Sequence, residues 1–155
     1  MSIQPFIDIN VYIEKGTLIC CFISNGKELT ELRGMLFIKE MTELMKKINT
    51  INTNRIVFLF DIDKIDFNAL PSNYKLLKSY AQVFKDHKSV IENKLGFTIV
   101  KSEKNIFRMF FRLFKLFYTP IKPLYLCNTL EKSLQCIHDE EELKKLLVLD
   151  IKKLK

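Results

Sequence analysis

Residues 55–63 read RIVFLFDID, and this stretch decides the fold. An unbroken apolar run at 56–60, without polar alternation, is typical of a strand that is covered on both faces of a sheet. Asp61 and Asp63 follow the run and indicate a loop at the carboxyl end of that strand. We therefore expect residues 56–60 to form the central strand of an α/β domain.

The sequence before this strand predicts a hairpin and a helix. Residues 11–13 and 17–23 are rich in β-branched side chains, and Glu14-Lys15-Gly16 between them is typical of a tight turn. From Thr30, a typical N-cap residue, apolar side chains recur at helical spacing. The apolar residues of this predicted helix are Leu32, Met35, Leu36, Ile38, Met41, Leu44, Met45 and Ile48.

The sequence after the central strand continues the alternation. It predicts a helix from Pro71 to about residue 93, strands at 97–100 and 124–127, helices at 105–118 and 130–137, and a charged amphipathic helix at 139–155. The order β-β-α-β-α-β-α-β-α predicts a mixed sheet of four to five strands, largely parallel behind the opening hairpin, with helices packed on it.

The length of the chain limits the number of domains, and its charge limits the classes of binding partner. The 155 residues suit one domain, with a core at about residues 11–137. The net charge is +7, but Lys and Arg are interleaved with Asp and Glu along the chain, which is typical of a solvated surface and disfavours nucleic acid as a partner. No apolar run reaches the 18 or so residues that a membrane span needs, so we expect no membrane crossing. The cysteine pattern and the lack of a secretory signal favour a cytoplasmic protein, peripheral at most at a membrane.

The residue inventory disfavours catalysis. His87 and His138 are the only histidines, and no Gly-rich phosphate loop or nucleophile motif occurs, so we expect no enzyme activity, no metal and no cofactor. The four cysteines include no C-x-x-C pair, so we expect reduced, buried thiols, with Cys20 and Cys21 on opposite faces of a strand.

The acidic loop after the central strand is the first candidate site. Asp61, Asp63 and Asp66 lack the turn glycine and the bidentate glutamate of a calcium-binding loop, which favours a solvated connection. However, open α/β sheets place their sites at the carboxyl ends of strands. The candidate protein-contact residues are Asp63, Asp66, Asn68 and Ser72. Because a core does not need these short polar side chains, we expect changes at the first three to alter stability by less than about 0.5 kcal/mol.

The predicted helix at 105–118 is the second candidate site. Arg108, Arg112 and Lys115 fall on one narrow face, and apolar side chains, many of them aromatic, cover the rest. Three interpretations stay open: a core helix, an aromatic contact surface for a partner or a second copy of the chain, and a helix on an anionic lipid surface. The candidate contact residues are Phe107, Arg108, Phe110, Phe111, Arg112, Phe114 and Lys115.

The predicted order of elements resembles that of the STAS domain, the anti-sigma-factor antagonist fold. The features that match are the hairpin ending in Cys21-Phe22-Ile23-Ser24, the helix at 32–48, the strand at 55–60 with its loop, Lys122-Pro123-Leu124-Tyr125 and the helix at 129–137. The family's Asp-Ser-Ser-Gly-like turn, which carries a phosphorylated serine, corresponds to residues 66–72, which read DFNALPS. This stretch has no glycine and no serine directly after the aspartate, so the resemblance predicts the fold but not control by phosphorylation.

The resemblance implies a function. A STAS-like domain is a non-enzymatic protein-interaction or regulatory module, and we expect its unidentified protein partner to contact the loop after the central strand. Lipid-carrier folds of the CRAL-TRIO type are also similar over this region, and they imply a peripheral lipid- or membrane-binding domain that uses the aromatic-basic helix at 105–118.

Overall fold

The computed structural model of the chain describes residues 3–53, 55–66 and 74–148. Within these ranges the strands are β1 (Ile7–Glu14), β2 (Thr17–Ser24), β3 (Ile56–Asp61), β4 (Leu95–Lys101), β5 (Leu124–Cys127) and β6 (Leu147–Val148). The helices are α1 (Glu31–Thr50), α2 (Tyr74–Asp86), α3 (Lys88–Lys94), α4 (Lys104–Phe114), α5 (Leu130–Ile137) and α6 (Glu140–Lys144).

The strands form one mixed sheet in which they lie side by side in sequence order. β1 and β2 are antiparallel, β2 to β5 are parallel, and the two-residue β6 runs antiparallel to β5 at the far edge. This confirms the α/β class and the opening hairpin with a parallel sheet behind it. β6 is an addition that the sequence did not predict.

A two-residue turn closes the hairpin between β1 and β2. Lys15 and Gly16 have φ angles of 51° and 80°, and Glu14 pairs with Thr17 across the strands. Two consecutive positive φ angles define the turn whose twist matches that of the flanking strands, and glycine adopts the second angle without a steric penalty.

β3 lies between β2 and β4 and is covered on both faces, as the apolar run at 56–60 predicted. Ile56 and Phe58 belong to the core on one face of the sheet, and Val57 and Leu59 belong to the core on the other. All four side chains are buried.

The helices are divided between the two faces. Buried residues of α1, α2, α3 and α4 share one core with one face of the sheet, whereas those of α5 and α6 pack on the opposite face. Right-handed crossovers that always step in the same direction across the sheet keep their helices on one face, which explains the first group. We call the two cores the crossover core and the terminal core.

α1 begins as predicted but buries a different stripe. The Thr30 hydroxyl accepts a hydrogen bond from the backbone N–H of Arg33 at 3.2 Å and caps the helix. The buried residues are Gly34, Phe37, Met41, Met45 and Ile48. Leu32 and Met35, which we assigned to the apolar stripe, are exposed.

Three helix predictions need correction. The helix predicted at 105–118 ends at Phe114, and residues 115–117 form turns. The helix predicted from Pro71 to residue 93 is interrupted at His87, whose ψ of 32° breaks the helical path between α2 and α3. Pro71 itself lies outside the described residues. Of the helix predicted at 139–155, the described part ends at Lys144, and Leu147–Val148 forms β6 instead, because the open edge of β5 offers backbone partners. Residues 149–155 lie outside the described residues.

The four cysteines are all buried and unbonded. Cys20 lies in the crossover core and Cys21 in the terminal core, so the adjacent pair faces opposite sides of β2 as predicted. Burial raises the pKa of the Cys20 thiol to about 12, which keeps it protonated at neutral pH.

Candidate functional site

The acidic loop after β3 is tied to β4. Lys101 at the end of β4 donates a hydrogen bond from Nζ to Asp63 Oδ2 at 2.5 Å, and its Nζ lies 3.7 Å from Asp61 Oδ2. The backbone N–H of Glu103 donates to Asp63 Oδ1 at 3.1 Å. The hydrogen bond that Lys101 donates to Asp63 is the main cause that raises the pKa of Lys101 above its ordinary value. Asp63 therefore links two strand ends and helps to hold this edge together.

The other candidate residues of this loop have different positions. Asp66 is exposed at the end of a described segment. Asn68 and Ser72 lie outside the described residues, so the predicted contact surface is only partly described. Ser24, at the end of β2, accepts a hydrogen bond from the backbone N–H of Lys64 at 3.0 Å and fixes the loop from the other side.

The aromatic helix, α4, contributes most of its rings to the crossover core. Phe107, Phe111 and Phe114 are buried, and Phe110 is half-buried. The Phe107 and Phe111 rings stack with their centroids 5.6 Å apart. These three buried side chains are not available to an external partner in this structure.

The surface of α4 is basic with some apolar side chains. Arg108, Met109 and Arg112 are exposed, and Lys115 is half-buried. Leu116 in the following turn is 71% exposed. The narrow basic face predicted from the sequence therefore lies at the surface, while the aromatic arc faces inward.

An apolar cavity of about 140 Å³ lies in the crossover core, between the sheet and helices α1, α2 and α4. The strands contribute Phe58, Phe60, Thr98, Val100 and Leu124 to its wall, and the helices contribute rings such as Phe37, Tyr80, Phe84, Phe111 and Phe114. In the described part of the chain, Lys122 is the only charged residue that lines it.

Aromatic side chains and a close contact between helices surround the cavity. Tyr80 contacts Phe84 and Phe114 with ring centroids 5.0 and 5.6 Å away. Burial raises the pKa of the Tyr80 hydroxyl. At Gly34, α1 approaches α2 so closely that a β-carbon there would collide with the Leu76 side chain.

The cavity has the chemistry of an apolar binding site. An enclosed apolar cavity of similar volume, about 150 Å³, takes up benzene in a protein core. The cavity of this domain is partly open to solvent, so a ligand has a path into it. An apolar molecule that enters such a space gains dispersion contacts with the lining atoms. Lys122 and the hydroxyl of Thr98 add polar groups to an otherwise carbon-rich wall.

Among the residues that the structure describes, no cluster of three or more His, Cys, Asp or Glu side chains is placed to hold a metal ion. No helix within the described ranges combines the length and the apolar character that crossing a membrane requires.

Comparison of the chain with models of known protein families and with curated proteins gives no match. The site has to be interpreted from its own geometry.

Sequence reasoning missed the cavity. Its lining comes from residues between Phe6 and Leu124 that only the tertiary fold brings together. The available signal was the aromatic content, 13 Phe and 5 Tyr with no Trp, which is concentrated on one face of the sheet.

Proposed function

We propose that this domain is a non-catalytic binding module for a small apolar ligand or a short acyl chain, held in the cavity of the crossover core. The observation that carries the proposal is the carbon-lined space of about 140 Å³ between β3, β4 and the helices α1, α2 and α4. This function corresponds to the lipid-binding alternative of the sequence analysis, with the cavity rather than the aromatic surface of α4 as the binding element.

The surroundings of the cavity favour a ligand with an anionic end. Lys122 is half-buried at the wall, where its ammonium group can pair with a carboxylate while the alkyl chain lies against the rings. The exposed Arg108 and Arg112 suit an anionic membrane surface from which such a ligand is taken up. Neutral and acidic ligands of equal length therefore differ in affinity.

Thermal unfolding in the presence of benzene or hexanoate tests the proposal. A ligand at ten times its Kd stabilises the folded protein by about 1.4 kcal/mol, which raises the Tm of a domain of this size by roughly 3–6 °C. Hexanoate should stabilise the parent more than hexanol does, and Lys122→Met should remove that difference. If benzene, hexanoate and hexanol all leave the Tm unchanged, the cavity is not a binding site.

A pair of leucine variants separates cavity binding from general stabilisation. Leu77→Ala enlarges the cavity, whereas Leu146→Ala truncates a buried leucine of the terminal core. We expect benzene to raise the Tm of Leu77→Ala more than that of the parent, and to affect Leu146→Ala and the parent equally. Equal shifts in all three proteins would place benzene elsewhere.

A protein-interaction module of STAS-like type is the second candidate function. The observation that favours it is the exposure of Leu32 and Met35, at 62% and 55%, on the first turns of α1. These apolar side chains lie near the carboxyl ends of the parallel strands, at the same edge as Asp63 and Asp66. Leu32→Lys with Met35→Lys should abolish capture of a protein partner in a pulldown, while leaving the benzene response intact.

A further inference from the structure

The outer edge of β1 is open in the part of the chain that the structure describes. β1 is eight residues long, pairs only with β2 there, and contains neither lysine nor proline. Natural proteins usually protect such an edge with those residues, with bulges or with a covering element, because unpaired backbone groups invite another strand.

The hydrogen-bond pattern of the hairpin shows which residues face that edge. The backbone N–H of Asn25 donates to the carbonyl of Phe6 at 3.1 Å, and Ile7 pairs with Ser24. Phe6 and Asn25 therefore form a hydrogen-bonded pair, and the next pair, Ile7 and Ser24, is not hydrogen-bonded. In an antiparallel ladder these two kinds of pair alternate along the strand. The peptide groups of four residues therefore point outward: Ile7, Ile9, Val11 and Ile13.

The side chains of the same four residues lie on one face of the sheet. Ile7 is buried in the crossover core and Ile9 packs against it. Val11 and Ile13 are 38% and 66% exposed. An apolar stripe thus runs along the edge strand from the core into solvent. The backbone donors and acceptors beside it pair with no strand among the described residues.

We propose that two copies of this chain associate by antiparallel pairing of their β1 strands across a two-fold axis, which joins the two sheets into one. A second copy fits because the edge is self-complementary. The outward peptide groups and the apolar side chains belong to the same odd-numbered residues. When these residues face each other across the two copies, their peptide groups can form hydrogen bonds and their side chains lie side by side. The exposed Val11 and Ile13 then pack against isoleucines of the other copy.

Charge selects the register. With Asn10 on the two-fold axis, Ile7 faces Ile13 and Ile9 faces Val11 of the other copy. The neighbouring register, with Val11 on the axis, sets the carboxylates of Asp8 and Glu14 directly opposite each other, which is destabilising. The first register avoids this pairing and keeps all four apolar residues within the interface.

Disulfide trapping tests the register. Asn10 faces Asn10 of the other copy at a non-hydrogen-bonded position. The Cα atoms of such a pair are about 4.5 Å apart, within the range that a disulfide spans. Asn10→Cys should give a cross-linked dimer under mild oxidation. Asp8→Cys is the matched control, because the two introduced residues are about 13 Å apart, or four strand positions. The native thiols are buried and should not compete. Cross-linking through Val11→Cys in place of Asn10→Cys would overturn the register.

Analytical ultracentrifugation of the full chain tests the association itself. The parent should sediment as a dimer at high micromolar concentration. Ile13→Lys should be a monomer with the parent's circular dichroism spectrum and a Tm that does not depend on protein concentration. Met109→Lys changes an exposed apolar residue on α4 and should leave the dimer intact. A monomeric parent, or a dimer that survives Ile13→Lys, would show that β1 does not mediate self-association.

Discussion

Lys94 holds the carboxyl end of α1. Its Nζ donates hydrogen bonds to the backbone carbonyls of Ile48, Asn49 and Ile51 at 3.0, 3.1 and 2.8 Å. Ile48 and Asn49 lie in the last turn of α1, where carbonyls have no intrahelical donor four residues ahead. The Ile48 carbonyl also accepts from the backbone N–H of Ile51 at 3.2 Å, and that of Ile51 from Thr53 at 2.9 Å. The cation also complements the negative end of the helix dipole. One side chain at the end of α3 thus fixes α1 against it.

Replacing Lys94 should therefore destabilise the domain. We expect Lys94→Met to lower the free energy of unfolding by about 1–3 kcal/mol, because the carbonyls lose a charged donor. Lys88→Met is the matched control: this exposed lysine lies 3.6 Å from Glu92, and its removal should cost less than about 0.5 kcal/mol. Urea unfolding measures both, and equal effects would exclude a capping role for Lys94.

Asp63 requires a revision of the sequence-based prediction. We expected its replacement to leave stability unchanged, but its carboxylate accepts hydrogen bonds from Lys101 and from the backbone of Glu103. Asp63→Asn should therefore cost about 1–2 kcal/mol, since the charge-assisted bond to Lys101 is weakened. Glu28→Gln changes an exposed carboxylate and should have no measurable effect.

The same pair predicts a dependence on alkaline pH. The pKa of Lys101 is raised in the folded state, mainly by its hydrogen bond to Asp63. Its contribution is therefore fully present below the unfolded pKa of about 10.4 and is lost as the pH rises through the folded value. The stability difference between the parent and Asp63→Asn should stay constant near neutral pH and shrink above about pH 10.5. A difference that persists at higher pH would contradict this role for Lys101.

At the residue scale, the sequence predicts local contacts and misses distant ones. The hydroxyls of Thr30 and Thr129 cap their helices by accepting hydrogen bonds from the backbone N–H three residues ahead, as helix-start signals predict. The partners Asp63 and Lys101 are separated by 38 residues, and Lys94 reaches carbonyls more than 40 residues earlier in the chain. No local pattern encodes such pairs.

At the element scale, the ends of a helix or strand can be predicted where apolar residues recur at a clear period or where turn residues lie on both sides. β5 and α5 have the predicted bounds, because prolines precede β5 and Asn128 and Thr129 separate the two elements. The C-terminal segment behaves differently. Its Leu143 and Leu146 are buried, as an amphipathic pattern predicts, but a strand edge competes with the helix beyond Lys144. Apolar spacing alone does not distinguish these outcomes over so few residues.

A leucine pair tests whether α6 is an integral part of the terminal core. Leu143 in α6 is buried against that core, whereas Leu134 in the neighbouring helix α5 is exposed. Leu143→Ala should cost about 2–4 kcal/mol through lost burial and a residual cavity. Leu134→Ala should cost less than about 1 kcal/mol. Equal and small losses in chemical denaturation would indicate that α6 is not packed stably on the sheet.

At the scale of the whole molecule, the order of the strands explains the unequal layers. Because the strands follow one another in sequence order and the crossovers are right-handed, the helices from α1 through α4 all lie on one face of the sheet. This thick aromatic layer contains the cavity. The opposite face depends on the short helices α5 and α6 after the last parallel strand. The sequence allowed this fold class to be predicted because the alternation of strands and helices is local. The cavity depends on how rings from several elements meet, and no local pattern encodes that arrangement.

Neighbouring residues of the central strand test whether both layers stabilise the sheet. Phe58 faces the crossover core and Leu59 faces the terminal core, and both are buried. We expect Phe58→Ala to lower the free energy of unfolding by about 3–5 kcal/mol and Leu59→Ala by about 2–5 kcal/mol, because each leaves a void in a packed layer. Leu116→Ala, at an exposed position after α4, serves as the control and should stay within about 0.5 kcal/mol. Chemical denaturation with a constant m-value measures all three. A loss for Leu59→Ala as small as that for Leu116→Ala, beside a large loss for Phe58→Ala, would mean that α5 and α6 do not cover the sheet in solution, and that β3 is buried on one face only.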